Sequence, residues 1–353
     1  MPFRWPADIS SVSHPASRLP CSSLLQLRSK LIPKASMDGE VLLPLERKQA
    51  TSRICLVSSF STELLEVRSE APSMHVLVIP GNPGIALFYK EFIEALYQLF
   101  NGNASVTAIG HISHSRKDWE RGRKFSLQEQ IDHKEDFIKQ ELQSCETPLV
   151  LVGHSIGAYI CLEIFKRHPN QVKFSVGLYP FLALNRDSWQ QSIIGMIARS
   201  SFLNVPASYL VSFLGSFPAQ FSRTLVRKLL GQSWSTTAVD AVCSNLMQYH
   251  TMRNVLFMAM TEFAKFSEEP DWTFMREKQN KLALLFGIDD HWAPLSFFEE
   301  VSKQVPGLAF SIEQEGHTHA FCCTEAGSLW VANHVATLIS EKLKLHLSSN
   351  IRS

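Results

Sequence analysis

The chain has 353 residues, 45% of them apolar and 19% charged, with a formal net charge of +1. That length suits one large domain with insertions or two small ones, because single cores stop growing at about 250–300 residues, and the apolar share is enough to bury a core over most of the chain. The charge is too balanced to point to nucleic acid, which needs a basic stripe to displace counterions.

Residues 1–36 carry Arg4, Arg18, Arg28, Lys30 and Lys34, many serines and one acid, Asp8. This composition suits a transit peptide for a plastid or mitochondrion, and equally a disordered tail. Residues 1–50 are therefore expected to be a disordered or targeting extension, with Met37 as an alternative start. No apolar run follows the early positive charge, so no secretory signal is expected. Seven cysteines (Cys21, Cys55, Cys145, Cys161, Cys243, Cys322, Cys323) are scattered without a CxxC pair. They read as reduced thiols of an intracellular protein.

Beyond the extension, short apolar runs alternate with helical spacing. Ile54–Ser59 and Leu64–Val67 read as opening strands, and Val76–Ile79 as a buried strand entering Pro80-Gly81-Asn82-Pro83-Gly84. Phe88–Phe100 has helical periodicity, Val106–Ile109 is a strand, and Leu127–Leu142 is an amphipathic helix. Leu149–Val152 is a strand followed at once by a helix through Phe165, and Phe174–Leu178 is the next strand. From about Phe181 to Met275 the pattern is helical without strand alternation. Strands resume at Leu282–Phe286 and Ala309–Ile312, and a last helix runs from about Ser328 to Leu345. The expected fold is α/β: a mostly parallel central sheet flanked by helices, with a helical cap insertion. Its parts would be 51–180 (first core part), 181–275 (cap), 276–346 (second core part) and a tail, 347–353. No run of ~18 uninterrupted apolar residues predicts a transmembrane helix. The nearest, Ile193–Phe217, is broken by Arg199, Asn204 and Pro206.

Gly153-His154-Ser155-Ile156-Gly157 carries the chemistry. A G-x-S-x-G run between a strand and a helix is a nucleophile elbow of the α/β-hydrolase fold: a tight turn that needs small neighbours and lifts the serine hydroxyl clear of the backbone. Gly153 and Gly157 supply those neighbours, Ser155 is the candidate nucleophile, and the Ile156 N–H sits at a helix N-terminus where a developing oxyanion is favoured. A second oxyanion donor is expected from the loop after an earlier strand. Pro80 and Pro83 have no N–H, which leaves Asn82; the competing reading is a rigid turn without a catalytic role.

In this fold the acid and the base follow the serine in that order. Asp289 and Asp290 compete after Leu282–Gly287; Asp290, three residues past the glycine, is preferred and Asp289 held in reserve. In Gly316-His317-Thr318-His319, His319 is the candidate general base and His317 the reserve. The pairs His111/His114 and His317/His319 lack the H-E-x-x-H spacing of a zinc helix, so no metal and no other cofactor is expected. Cys322 and Cys323 read as buried small side chains.

Taken together, Ile79-Pro80-Gly81-Asn82-Pro83-Gly84 with Phe88-Tyr89, Gly153-His154-Ser155-Ile156-Gly157, the Asp290-x-Trp292-x-Pro294 segment and His319-Ala320-Phe321 resemble the lipid droplet-associated hydrolases over about residues 53–345. The resemblance implies an α/β-hydrolase core, a serine triad, a place on the droplet monolayer at the cytoplasmic side, and esterase activity toward lipid esters, with sterol esters as proposed substrates. Two features depart from that pattern: the N-terminal extension, which resembles plant sequences in style, and Asp290-His291 where Asp-Pro is the expected pair. The same triad also serves acyl transfer and thioester hydrolysis, and a droplet-surface binding protein with an idle triad is the reading of another class. The apolar residues of 193–217 either lie in a lipid monolayer or pack inward to line an acyl pocket.

Overall fold

Alternating inward and outward side chains set the opening hairpin. β1 (Thr51–Val57) pairs antiparallel with β2 (Phe60–Val67), and Val57 stands opposite Phe60. The two linking residues, Ser58 and Ser59, both have positive φ, 49° and 72°. That is the twist a two-residue hairpin turn requires, met here by serine where asparagine and glycine are commoner. The computed structural model describes residues 48–142 and 147–350. The readings of residues 1–36, of Met37, and of Cys21 and Cys145 fall outside that range.

Among the described residues eight strands form one sheet in the order β1-β2-β4-β3-β5-β6-β7-β8. The strands after the hairpin are β3 (Met74–Ile79), β4 (Ala104–Ile109), β5 (Leu149–His154), β6 (Val172–Leu178), β7 (Leu282–Gly287) and β8 (Ala309–Glu313). β2 meets β4 antiparallel, and every pairing from β4 to β8 is parallel. Parallel strands need crossovers, and helices supply them on both faces. With a period of two, Val76, Val78, Val150 and Val152 meet Phe92, Leu96, Val331 and Val335, from helices Lys90–Leu99 and Glu325–Asn350. Leu77, Ile79, Leu149 and Leu151 point the other way, toward Leu127, Ile131, Ile160 and Ile164 of helices Leu127–Phe137 and Ile156–Arg167. This double burial explains why the strands read as unbroken apolar runs.

Several boundaries differ from the sequence reading: β1 runs Thr51–Val57 rather than Ile54–Ser59, β2 begins at Phe60 rather than Leu64, and the last helix continues past Leu345 to Asn350, into the expected tail. The helix expected over 127–142 begins at a Ser126/Glu129 capping box but is α-helical only to Phe137, then widens into a π-helical turn over Ile138–Leu142. The last helix starts at Glu325, not Ser328, with Gly327 N–H bonded to Thr324 Oγ1 at 3.1 Å.

Between β6 and β7 the chain runs through helices Trp189–Arg199, Ser201–Gly215, Ala219–Leu230, Thr236–Ala241, Tyr249–Lys265 and Trp272–Lys278. Tyr249–Lys265 is the spine, with Trp189–Arg199 and Ser201–Gly215 packed on it. In Ser201–Gly215 the buried residues are polar, Asn204 and Ser208, with Ser208 Oγ donating to Asn204 O at 2.7 Å, while Val211 and Leu214 pack half-buried against the core. Phe202, Tyr209, Leu210 and Phe213 face solvent, Phe202 at 91% exposure. No helix of the described residues is long and apolar enough to cross a membrane.

The loops that follow β3, β5, β7 and β8 all leave the carboxyl ends of parallel strands. They therefore meet at one edge of the sheet, where open α/β sheets bind their ligands.

Candidate active site

Ser155 sits between β5 and helix Ile156–Arg167 at φ 55°, ψ −122°, a conformation that costs a non-glycine residue about 1–3 kcal/mol. Three hydrogen bonds hold it: Ser155 N–H donates to Leu178 O at 2.9 Å, and Ser155 O accepts from Ala158 N–H at 3.0 Å and Phe181 N–H at 3.2 Å. Both elbow glycines are sterically required. A Cβ on Gly153 would lie 2.3 Å from Gly157 O, and one on Gly157 would lie 2.2 Å from Ile79 O. Both obstacles are backbone, which cannot swing aside.

The two candidate acids part company in burial. Asp289 is exposed, whereas Asp290 is 5% exposed. Asp290 Oδ2 accepts from His319 Nδ1 at 2.9 Å, and Oδ1 accepts from Trp292 N–H at 2.9 Å. Burial pushes the Asp290 carboxyl upward, but the charge and hydrogen bond of His319 and the Trp292 N–H outweigh it and hold the group below the usual aspartate range. With Nδ1 donating to Asp290, His319 keeps Nε2 as its free basic nitrogen. His317 goes elsewhere: its carbonyl accepts from Tyr179 Oη at 3.3 Å and its ring lies 5.9 Å from Trp330. The structure thus joins Asp290 to His319 and leaves Asp289 and His317 out of that pair. Ser155 Oγ makes no hydrogen bond to His319; its neighbour His154 lies with its ring 5.0 Å from that of His319. Such bonds are often loose without substrate.

The loop after β3 is held from three sides. His111 N–H donates to Gly84 O at 2.9 Å, Gly84 N–H donates to His114 Nδ1 at 2.8 Å, and a Cβ on Gly84 would strike the His111 ring at 2.1 Å. His111 and His114 thus brace a loop; among the described residues no group of three or more His, Cys, Asp or Glu is disposed to hold a metal. The Asn82–Pro83 peptide is cis. Asn82 Nδ2 donates to Val255 O at 2.9 Å and to Glu262 Oε1 at 3.1 Å, both on helix Tyr249–Lys265. The amide nitrogen of that side chain is thus engaged by the helical insertion, while Asn82 Oδ1 is buried without a hydrogen-bond partner. The Ile156 N–H, first of its helix, has no carbonyl of that helix to meet.

Glu262 was not expected to matter. Burial pushes its carboxyl up from 4.5 to about 8, with the Asn82 bond pulling the other way. The folded protein then holds a proton that the unfolded chain gives up. This group's contribution to stability is present below the unfolded value and is lost as pH rises toward 8. Glu262→Gln should therefore gain in melting temperature on the wild type steadily between about pH 5 and 8. Calorimetry across that range checks this, and a constant gap would contradict it.

Sequence reasoning also missed Tyr89, His154 and Tyr179. Tyr179 follows β6 at φ 47°, donates its N–H to Leu285 O at 2.7 Å and stacks on Phe321 at 5.5 Å. The signal for His154 was present, as the first variable position of the elbow. Tyr89 stood in the Phe88-Tyr89 pair.

Residues 72–322 match the family model described as lipid-droplet associated hydrolase. A lipid droplet-associated hydrolase of Dictyostelium discoideum is 30% identical over 301 residues, covering 82% of this chain and 94% of that one. One from Gallus gallus is 32% identical over 269 residues, covering 71% and 80%. Among solved structures, the epoxide hydrolase VrEH1 from Vigna radiata superposes with a TM-score of 0.60 at 16% identity, covering 83% of this chain and 99% of that one, a likeness of fold. The chain belongs to the lipid droplet-associated hydrolase family and is a hydrolase built on the α/β-hydrolase fold.

Proposed function

We propose that the chain is a serine esterase that hydrolyses lipid esters, sterol esters among them, at the surface of lipid droplets. The observation that carries this reading is the pairing of buried Asp290 with half-buried His319, 2.9 Å apart, on the same edge of the sheet as the strained Ser155. Ser155 Oγ attacks the ester carbonyl carbon and passes its proton to His319 Nε2, while Asp290 holds the imidazole in the right tautomer and stabilises its cation. The carbonyl oxygen, now negative, is held by the N–H groups of Asn82 and Ile156. Each such donor is typically worth about 10²–10³ in rate. His319 then protonates the departing alkoxide, and the acyl group stays on Ser155. Water attacks the acyl-enzyme, His319 takes its proton, and the acid leaves as the proton returns to Ser155. Purified protein should turn over a short-chain aryl ester; no turnover above the buffer rate would sink the esterase reading.

The droplet assignment is supported by the family names and by the exposed apolar side chains of the insertion. Trp189, Met196, Phe202, Leu203, Tyr209, Leu210, Phe213, Phe217 and Phe221 are exposed on successive helices of the insertion. Phe213 and Phe221 lie 5.2 Å and 5.0 Å from Phe217, which joins two of those helices. Large apolar patches of this kind mark interaction surfaces, and burying each such side chain in lipid contributes about 1.5–3 kcal/mol. The triple variant Phe202→Glu, Leu210→Glu, Phe213→Glu should keep its rate on a soluble ester and lose more than about tenfold in partitioning onto phospholipid-coated oil droplets. Wild-type partitioning by that variant would refute the docking face.

A further inference from the structure

Two buried side chains outside the triad, Tyr89 and His154, form one directional chain of three hydrogen bonds. Gly81 N–H donates to Tyr89 Oη at 3.0 Å. Tyr89 Oη is 2.6 Å from His154 Nδ1, and His154 Nε2 is 2.9 Å from His319 O. The polarity is fixed by its ends. A backbone carbonyl can only accept, so His154 Nε2 donates to it; in the neutral imidazole Nδ1 is then the acceptor and the Tyr89 hydroxyl donates to it. Burial pushes the Tyr89 phenol well above its usual range, so it keeps that proton. Tyr89 is 1% and His154 6% exposed, and the His154 ring is packed edge-on against Phe321 at 5.0 Å.

What the chain connects is more telling than its burial. Gly81 precedes Asn82, the candidate oxyanion donor. His154 precedes Ser155, the candidate nucleophile. His319, the candidate base, is held by its own carbonyl. Three loops from three strand ends are thereby tied together, each one covalent step or less from a reacting group. The approach is close enough that a Cβ on Gly81 would lie 3.1 Å from Ser155 Cβ and 3.3 Å from His154 Nδ1.

We infer that Tyr89 and His154 are positioning residues: their hydrogen-bonded bridge from the Gly81 N–H to the His319 carbonyl sets the distances between oxyanion donor, nucleophile and base. This rests on the serine-esterase reading above. Neither side chain touches substrate in that role, so losing the bridge should slow the chemical step and leave binding alone. Misplacement by about 1 Å is enough to cost about 10²-fold.

The test uses Tyr89→Phe and His154→Phe, which keep ring volume and delete the bonds, with the double variant and His154→Gln beside them. On an aryl ester each single change should lower kcat by about 10–100-fold with KM within about twofold. The melting temperatures should not track the rates. The double variant should be scarcely worse than either single one, because a chain cut twice is still one cut chain. His154→Gln, which keeps an N–H for the His319 carbonyl, should fall between wild type and His154→Phe. Fluorophosphonate labelling rates read the same ranking on Ser155 itself. A wild-type protein that neither hydrolyses the ester nor takes the label overturns the esterase reading. An active wild type with Tyr89→Phe and His154→Phe at full kcat, or a double variant whose loss is the product of the single losses, overturns the bridge alone.

Discussion

Exchanging Ser155 for alanine should lower the turnover of a short-chain aryl ester by about six powers of ten relative to wild type, while the protein stays folded. The size follows from the unit being cut. Without the hydroxyl there is no acyl-enzyme, and what remains is substrate binding and the oxyanion donors, which alone retain about 10³–10⁴ over water. Folding should survive, because the hydrogen bonds of the elbow run through the Ser155 backbone, to Leu178 O and from Ala158 and Phe181. The Ser155 side chain makes none of them, so alanine leaves no partner unsatisfied. A variant with more than a tenth of the wild-type rate would remove Ser155 from the reaction.

Asp290→Asn should cost about 10⁴ in kcat, the second largest effect expected of a single substitution. Asparagine fits the space and keeps an oxygen for the Trp292 N–H. The face toward His319 Nδ1, 2.9 Å away, then presents an amide N–H. A donor there forces the imidazole proton onto Nε2, the nitrogen that must accept from Ser155, and the charge that stabilises the imidazolium is gone. Asp289→Asn, at an exposed position, should leave kcat unchanged. Equal losses in the two variants would mean that the acid has been misassigned.

The sheet was readable because its strands are buried on both faces, so Val76–Ile79 and Leu149–Val152 stand out as apolar runs that end at Pro80 and Gly153. The elbow was readable because steric need leaves glycine alone at 153 and 157. The choice of Asp290 over Asp289 came from spacing to Gly287, and burial is what separates the two acids in space. Contacts between distant segments left no local trace. Tyr89 and His154 are 65 residues apart, and Asn82 and Glu262 are 180 apart. Helix Ser201–Gly215 misleads in another way. Its most buried residues are the polar Asn204 and Ser208, while Phe202, Tyr209, Leu210 and Phe213 stay exposed, and periodicity cannot say which stripe meets the protein. The end of the α-helix at Phe137 gives no signal either, since Ile138 and Leu142 continue the apolar pattern through a wider turn.

Ester hydrolysis by this chain requires an activated hydroxyl at residue 155. Its most direct measurement is mass spectrometry of wild type and Ser155→Ala after exposure to a fluorophosphonate, which adds only to a serine made nucleophilic by its neighbours. One adduct per wild-type chain, mapped to the peptide that holds Ser155 and absent from Ser155→Ala, is the result expected. An unlabelled wild-type protein, or an adduct that persists on another residue in the variant, would contradict it.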